Sequence, residues 1–463
     1  MRKNRGVTLV LALLASGCVE SEPPTGTAFE NVTVLDAVGG LRENQRVVVD
    51  GDRIVSVSAM ADPHTPAAET IDGDGRVLIP GLWDMHVHYL YDAALTDVMP
   101  SLFLRYGITS VRDTGGELTG MTALRERLAT SDAPAPRLFF SGPLLDGQFV
   151  VYDGGDPGRP VLGTSVPTVD VARQRVRDLK AAGADFIKIY ELVDPAVFEV
   201  LADEARALDL PIAAHVPLMM TADAAGPLAD SMEHLRNIEL ACAANWQELL
   251  DVRQNLIREF VEGRGADLRS GLHTLQRLPA VAAYDEARCD VVLDALSQTT
   301  QVPTLRLNAS GMVRRFDEPD WLPALAMLPD EVQRRWQAQA DRQREAAPGT
   351  DHTFAEWSLF LTARLKAHDV PIGAGTDTPI GLGIPGYSLH TELELLVESG
   401  LTPLEALHAA TVQPARFFGL DDEMGQVEVG MRADLVLLDG NPLEDIRNTR
   451  RIQGVMTQGR WLP

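Results

Sequence analysis

The chain carries a small set of residues able to hold a metal ion and move a proton. Leu78-Ile-Pro-Gly-Leu-Trp-Asp-Met-His-Val-His88 is an apolar run ending in two histidines one residue apart. Alternate side chains of a β-strand share a face, so His86 and His88 would project together from a strand's end, where two imidazoles can grip one ion. Taken alone, the pair reads equally well as two satisfied polar residues. Residues of similar chemistry recur further on. Lys188 lies in Ala184-Asp-Phe-Ile-Lys-Ile-Tyr190, and His215 closes Pro211-Ile-Ala-Ala-His215. His234 closes Asp230-Ser-Met-Glu-His234, and Asp377 closes Val370-Pro-Ile-Gly-Ala-Gly-Thr-Asp377. Each falls at or near the end of a β-prone run, where parallel barrels keep their chemistry.

Positioning these residues takes a series of strands. Candidates run over residues 79–86, 108–112, 137–141, 186–190, 211–215, 230–234, 302–307 and 372–377, with helical patterns between them. Eight such strands are what a TIM (β/α)8 barrel needs. Residues 29–79 alternate apolar and turn residues, with an Asp-Gly hairpin signal at Asp50-Gly51, and the tail from Gly425 reads the same way. Two connections, residues 236–301 and 308–368, are long and rich in helix formers. Both leave the active-site end of the barrel, so they are expected to form lids that shape substrate choice.

The motifs PGLWDMHVH, GITSVRDTGG, ADFIKIY, IAAHV, SMEH, IGAGTDTP and GQVEVGMRADLVLLDGNPLEDI together resemble the metal-dependent amidohydrolase superfamily. The likeness is to the branch of imidazolonepropionase-like proteins and Xaa-Pro or Xaa-Arg dipeptidases, from about Phe29 onward. It implies an α/β fold, a TIM barrel over residues 80–420, with a small β-sandwich domain built from residues 29–79 and 421–463. It also implies two divalent ions, one on His86, His88 and Asp377 and the other on His215 and His234. In such relatives the lysine equivalent to Lys188 is carboxylated and bridges the ions, which requires a neutral amine favoured by burial and nearby cations. A hydroxide bridging the ions would attack an amide carbonyl, and Asp377 would carry its proton to the leaving amine. Tyr190, two residues beyond Lys188 and on the same strand face, could bind the oxyanion or a substrate carboxylate, or serve only packing. Zn2+ suits the donors, although Mn2+, Co2+ and Fe2+ occupy similar sites.

Each residue has a plainer reading. Lys188 in an apolar strand would be costly to bury unpaired, so it is modified or ion-paired. His215 and His234 could stand behind the ligands rather than among them. Asp377 could cap the following helix. His64, His273, His352, His368 and His408 match no motif and read as surface or structural residues, and His390 opens a helical pattern behind the site. Relatives place a histidine-containing, glycine-rich segment after strand three, whereas this chain reads Ser141-Gly-Pro-Leu-Leu-Asp-Gly-Gln-Phe-Val-Val-Tyr. That departure leaves the metal site intact and loosens any transfer of peptide specificity.

Composition sets outer bounds. A 463-residue chain with 45% hydrophobic residues can bury a large core. A net charge of −25 and no sustained basic patch argue against nucleic acid or anionic membrane as partners. Residues 1–17 read as a lipoprotein signal peptide, with Leu14-Ala-Ser-Gly-Cys18 resembling a lipobox, and residues 18–28 as a flexible tether. The expectation is an exported, periplasmic or cell-surface protein anchored by lipid on Cys18, or one with an ordinary cleaved signal. Cys242 and Cys289 remain; they could pair in an oxidising compartment, with two buried thiols the preferred reading. A homo-oligomer is compatible with the sequence. The expected activity is hydrolysis of a C–N amide bond in a dipeptide or N-acyl amino acid. Ring opening of a cyclic amide uses the same metals, and a surface lipoprotein that binds ligand without turnover is the non-enzymatic alternative.

Overall fold

The computed structural model describes residues 25–156, 159–346 and 351–463; the expected signal peptide and Cys18 lie outside the described residues. Alternating apolar residues turn the two chain ends into strands of one sheet. Thr27–Asp36, Gly40–Asp50 and Arg53–Ala59 form an antiparallel meander, with the last hairpin turning at Gly51 in the left-handed region that glycine favours. Val77–Pro80 pairs with Thr27–Asp36 on one side and with Leu435–Leu438 on the other, Glu69–Asp72 also pairs with Thr27–Asp36, and Ile452–Thr457 and Arg460–Leu462 complete the eight-stranded sheet.

All eight strands belong to one sheet that curls on itself, and the expected sandwich is not confirmed. Phe29 and Trp461 stand several strands apart in its order, yet their rings meet edge to face at 5.1 Å. The curl encloses a core of its own, including Val34, Val47, Leu78, Leu435 and Met456. At Gly81 the chain passes from this sheet into the barrel. A Cβ there would fall 2.1 Å from the Thr109 hydroxyl, so the crossing has room only for glycine.

The barrel wall contains Leu82–Val87, Ile108–Asp113 and Arg137–Phe140 as one parallel group. A second parallel run holds Ile187–Ile189, Ile212–Ala214, Ser231–Glu233 and Thr300–Val302, with Leu144–Asp146 and Gly163–Ser165 added at its edge. Helices alternate with these strands on the outside. Val169–Ala181 is typical: Thr168 caps it by accepting from the Val171 amide, and Ala172, Val176 and Leu179, spaced four and three apart, are buried.

Two expectations about the wall need correction. Residues 372–377 form no regular strand: they bond to their neighbours on both sides, through Gly373 N to Gln301 O at 2.9 Å and Asp377 N to His86 O at 2.7 Å, without a continuous ladder. Glycines occupy 373 and 375, and at 375 the backbone lies so near its neighbours that a Cβ would fall 2.6 Å from Val302 Cγ1 and 2.9 Å from His86 Cβ. The wall is also not closed by pairing between Arg137–Phe140 and Ile187–Ile189. The seventh strand ends early, at Val302, because Pro303 and the left-handed Thr304 turn the chain into the short helix Leu305–Asn308.

The cysteine expectation also fails. Cys242 and Cys289 form a disulfide with Cα atoms 4.2 Å apart, since the helix Glu286–Ala295 packs against the turn that follows Ile238–Ala241. The first long connection supplies the helices Trp246–Glu259 and Gly265–Ala282 as well. The second supplies Asp330–Glu345 and Thr353–Ala367, and Arg335 of the former pairs with Asp92 in the loop beyond His88. No helix among the described residues is long and apolar enough to cross a membrane.

Candidate active site

Strand ends bring the predicted residues together. His86, His88, Lys188, Tyr190, His215, His234 and Asp377 all line one cavity, and all are buried. Possible ligand atoms of His86, His234 and Asp377 lie within 4.8 Å of one another. Asp377 Oδ1 stands 3.1 Å from His88 Nε2 and 3.5 Å from His86 Nε2. His215 and His234 are neighbours in turn, with ring centroids 4.8 Å apart.

Every one of these imidazoles has its Nδ1 engaged from behind. His86 Nδ1 contacts Glu233 Oε2 at 2.6 Å, His88 Nδ1 contacts the Gly115 carbonyl at 3.1 Å, His215 Nδ1 contacts Glu191 Oε1 at 2.8 Å, and His234 Nδ1 contacts the Thr304 hydroxyl at 2.7 Å. With the proton on Nδ1, the Nε2 lone pair is left for a ligand, which is how metal-binding histidines are normally oriented.

The supporting carboxylates are themselves held. Arg112, fully buried, donates to Glu233 at 2.7 Å, to Ser231 at 2.8 Å and to the Met85 carbonyl. Arg269 donates twice to Glu191 Oε1, and His273 Nε2 meets Oε2 at 2.6 Å. Arg269 and His273 come from the helix Gly265–Ala282, so the first long connection reaches the site directly. Arg306, from the short helix Leu305–Asn308 after the seventh strand, donates to the Asp377 carbonyl at 2.9 Å.

Charge follows from this geometry. Burial pushes His86 down to about 4 and His215 and His234 well below the ordinary histidine value, so these rings are neutral at pH 7. Burial opposes protonation of His88 too, but the neighbouring Asp377 outweighs it and raises the ring's pKa. Burial would raise Glu233 and Glu191, yet the guanidinium of Arg112 and that of Arg269 hold them well below the usual carboxylate range. Burial brings Lys188 down to about 7. Its Nζ has no hydrogen-bond partner, and the Glu233 carboxylate lies 4.0 Å away. Tyr190 packs between His215 and the Arg269 guanidinium, and burial raises its pKa far enough to keep the phenol protonated.

These donors fit a divalent ion. Neutral imidazoles and an ionised carboxylate converge on one buried cavity, beside a buried amine without a hydrogen-bond partner. The neighbouring backbone is strained toward the same end: His234, Leu235 and Asn237 all have left-handed φ values of 62°, 56° and 65°. Such residues cost about 1–2 kcal/mol each and persist where the surroundings fix them. Here Asn237 is fixed by the Val216 carbonyl and by buried Arg253, which is held by Gln276.

Comparison with known proteins agrees with this arrangement. Residues 361–462 match the Amidohydrolase family. An imidazolonepropionase of Psychrobacter cryohalolentis is 34% identical over 122 residues, which are 25% of this chain and 27% of that protein. The chain thus spans about a quarter of that relative's length in the match. A longer match, at 24% identity, covers 88% of this chain and 89% of the imidazolonepropionase of Erwinia tasmaniensis. The crystal structure of a Xaa-Pro dipeptidase with bound methionine in the active site superposes with a TM-score of 0.67 over 94% of this chain and 99% of that one, at 18% identity, and so shares the fold. These findings show sequence similarity to amidohydrolases and a shared fold.

Several residues of the site were not singled out in the sequence. Glu191, Glu233 and Arg112 were missed, although a charged residue inside an apolar strand end needs a partner and is itself a signal. His273, read as structural, braces Glu191. His390 is not behind the site: its ring joins Thr449 to the Tyr106 carbonyl. The segment after strand three, which lacks a histidine, contributes Leu144 and Tyr152 to the cavity.

Proposed function

We propose that the chain is a binuclear metal-dependent amidohydrolase that cleaves a C–N amide bond in a dipeptide or N-acyl amino acid. The observation that carries this is the convergence of four histidines, Asp377 and Lys188 on one cavity, each histidine with Nδ1 engaged from outside. His86, His88 and Asp377 would hold one divalent ion, His215 and His234 a second, and an N-carboxylated Lys188 would bridge them. When bound, the ions, with Zn2+ the best fit to the donors, would supply Lewis-acid activation of water and of the scissile carbonyl.

The chain's own residues supply the rest. Asp377, held down to about 2 by neighbouring histidines and Arg306 against the effect of burial, is ionised and can take a proton from the attacking water and pass it to the leaving amine. Tyr190 keeps its proton and can donate a hydrogen bond to an oxygen of the substrate. Leu144, Leu162 and Ile380 line the cavity and limit access of bulk water.

A second reading, ring opening of a cyclic amide, draws support from the near full-length match to the Erwinia imidazolonepropionase. Measuring metal content alongside hydrolysis of dipeptides, N-acyl amino acids and cyclic amides, before and after chelation, tests both. Near two ions per chain with chelator-sensitive release of an amino acid supports the first reading. Turnover confined to cyclic amides supports the second, and a folded, metal-free and inactive protein would turn the reading to a ligand-binding lipoprotein. The reading includes export to the periplasm or cell surface with a lipid anchor on Cys18. The Cys242–Cys289 disulfide supports an oxidising compartment. The division into residues 29–79 with 421–463 and 80–420 is retained as part of the proposal, as is a homo-oligomer.

A further inference from the structure

We propose that Arg236 anchors an anionic group of the substrate, so that the enzyme selects amides whose leaving side carries a free carboxylate. The inference rests on the hydrolase reading above and names the substrate feature that the same cavity recognises. Arg236 follows the metal-site histidine His234 by two residues, and it lines the cavity together with Tyr152 and Tyr190. Its side chain is only 17% exposed, and its buried Nε has no hydrogen-bond partner.

The surrounding charges leave this guanidinium uncommitted. Among the described residues, Glu191 is the only carboxylate within 4.0 Å of Arg236, at 3.9 Å. That carboxylate already accepts two bonds from Arg269 and faces His215 and His273, so its negative charge is balanced before Arg236 is counted. Arg277, the next guanidinium outward, faces Glu239. A partly buried cation without a partner is unfavourable unless a ligand supplies the counter-charge.

The backbone is built to present it. His234, Leu235 and Asn237 are all left-handed, and the buried Asn237–Arg253–Gln276 chain fixes the turn from the insertion helices. The long connection that braces His215 through Arg269 therefore also sets the position of Arg236. Apolar Leu144 and Leu162 on the other walls provide no competing anion. A carboxylate reaching Arg236 would leave the adjacent amide near the histidines and Asp377, and the phenols of Tyr152 and Tyr190 stand beside the path.

The test compares matched pairs of N-acyl amino acids and dipeptides with their C-terminal carboxamides, using the metal-loaded enzyme, Arg236→Met and Arg236→Lys. The expected result is that the wild type prefers the acids, and that Arg236→Met raises KM for them by about 10–100-fold with a much smaller change in kcat. Its kcat/KM on the carboxamides should fall far less than on the acids, and Arg236→Lys should recover part of the preference. Calorimetric titration with the free amino acids, the carboxylate-bearing products of the leaving side, should show the same loss in Arg236→Met, with thermal melting confirming that the variant is folded. Equal kcat/KM for acids and carboxamides in the wild type, or equal losses on both in Arg236→Met, would overturn the role of Arg236 and leave the hydrolase reading standing. No hydrolysis of either form by the metal-loaded wild type would overturn that reading and the inference with it.

Discussion

Glu233 holds His86 from behind, its Oε2 2.6 Å from Nδ1, while its other oxygen is gripped by the buried Arg112 at 2.7 Å. The carboxylate fixes both the tautomer and the aim of the ring, and Arg112 keeps the carboxylate ionised. Glu233→Gln retains the shape but weakens the acceptor. It should lower metal affinity by about 10–100-fold, read by competition with a chromophoric chelator. Unchanged affinity would show that His86 needs no such support.

Lys188 is brought down to about 7, chiefly by burial, so a large fraction of the amine is neutral at pH 8. A neutral Nζ can add to CO2, forming an N–C bond and releasing one proton. Growth or incubation in 13C-bicarbonate should therefore give a carbamate carbon resonance in the wild type that Lys188→Ala lacks, and the variant should retain one ion per chain or fewer. A wild type with two ions and no carbamate signal would leave Lys188 as an ion-paired residue.

Glu392 gives a pH effect that does not depend on metal. It accepts from the Leu305 and Arg306 amides at 2.9 and 2.8 Å, yet burial pushes its carboxyl up from an ordinary 4.5 to about 8. Between those values the unfolded chain releases a proton that the folded chain keeps. The folded state consequently loses stability as pH rises through this window, and the loss levels off above about 8. Glu392→Gln should remove that slope, so the difference in melting temperature between wild type and variant should change steadily from pH 5 to pH 8. Parallel curves would show that the carboxyl is already ionised in the fold.

The disulfide closes a loop of 47 residues that contains the helices bracing His215. Its removal by Cys242→Ser with Cys289→Ser should cost roughly 2–4 kcal/mol of stability, measured by urea unfolding. Because Arg269 and His273 come from that loop, KM should also rise in the reduced wild type. A reduced enzyme with unaltered stability and kinetics would show that packing alone holds the insertion.

Much of the site was legible because metal ligands at strand ends obey period two: His86 and His88, and Lys188 with Tyr190, need no tertiary information to be placed on one face. The acids behind them were not legible, because Glu191 and Glu233 come into contact with their partners only through the barrel's curvature. Residues 372–377 were read as a strand from their β-prone start, and the close approach of the Gly375 backbone to Val302 and His86 is not visible in that pattern. The disulfide depends on how the insertion helices fold back on the turn after Ile238–Ala241, which no local pattern encodes.

The curled end sheet constrains the order in which the molecule can mature. Val77–Pro80 leaves the ribosome early, but its antiparallel neighbour Leu435–Leu438 emerges only after the whole barrel has been translated. At about 5–20 residues per second, that early strand waits tens of seconds for its partner. The small sheet is therefore completed only after synthesis of the barrel, and a ribosome stalled within the barrel would leave Val77–Pro80 as an open edge able to pair with another nascent chain.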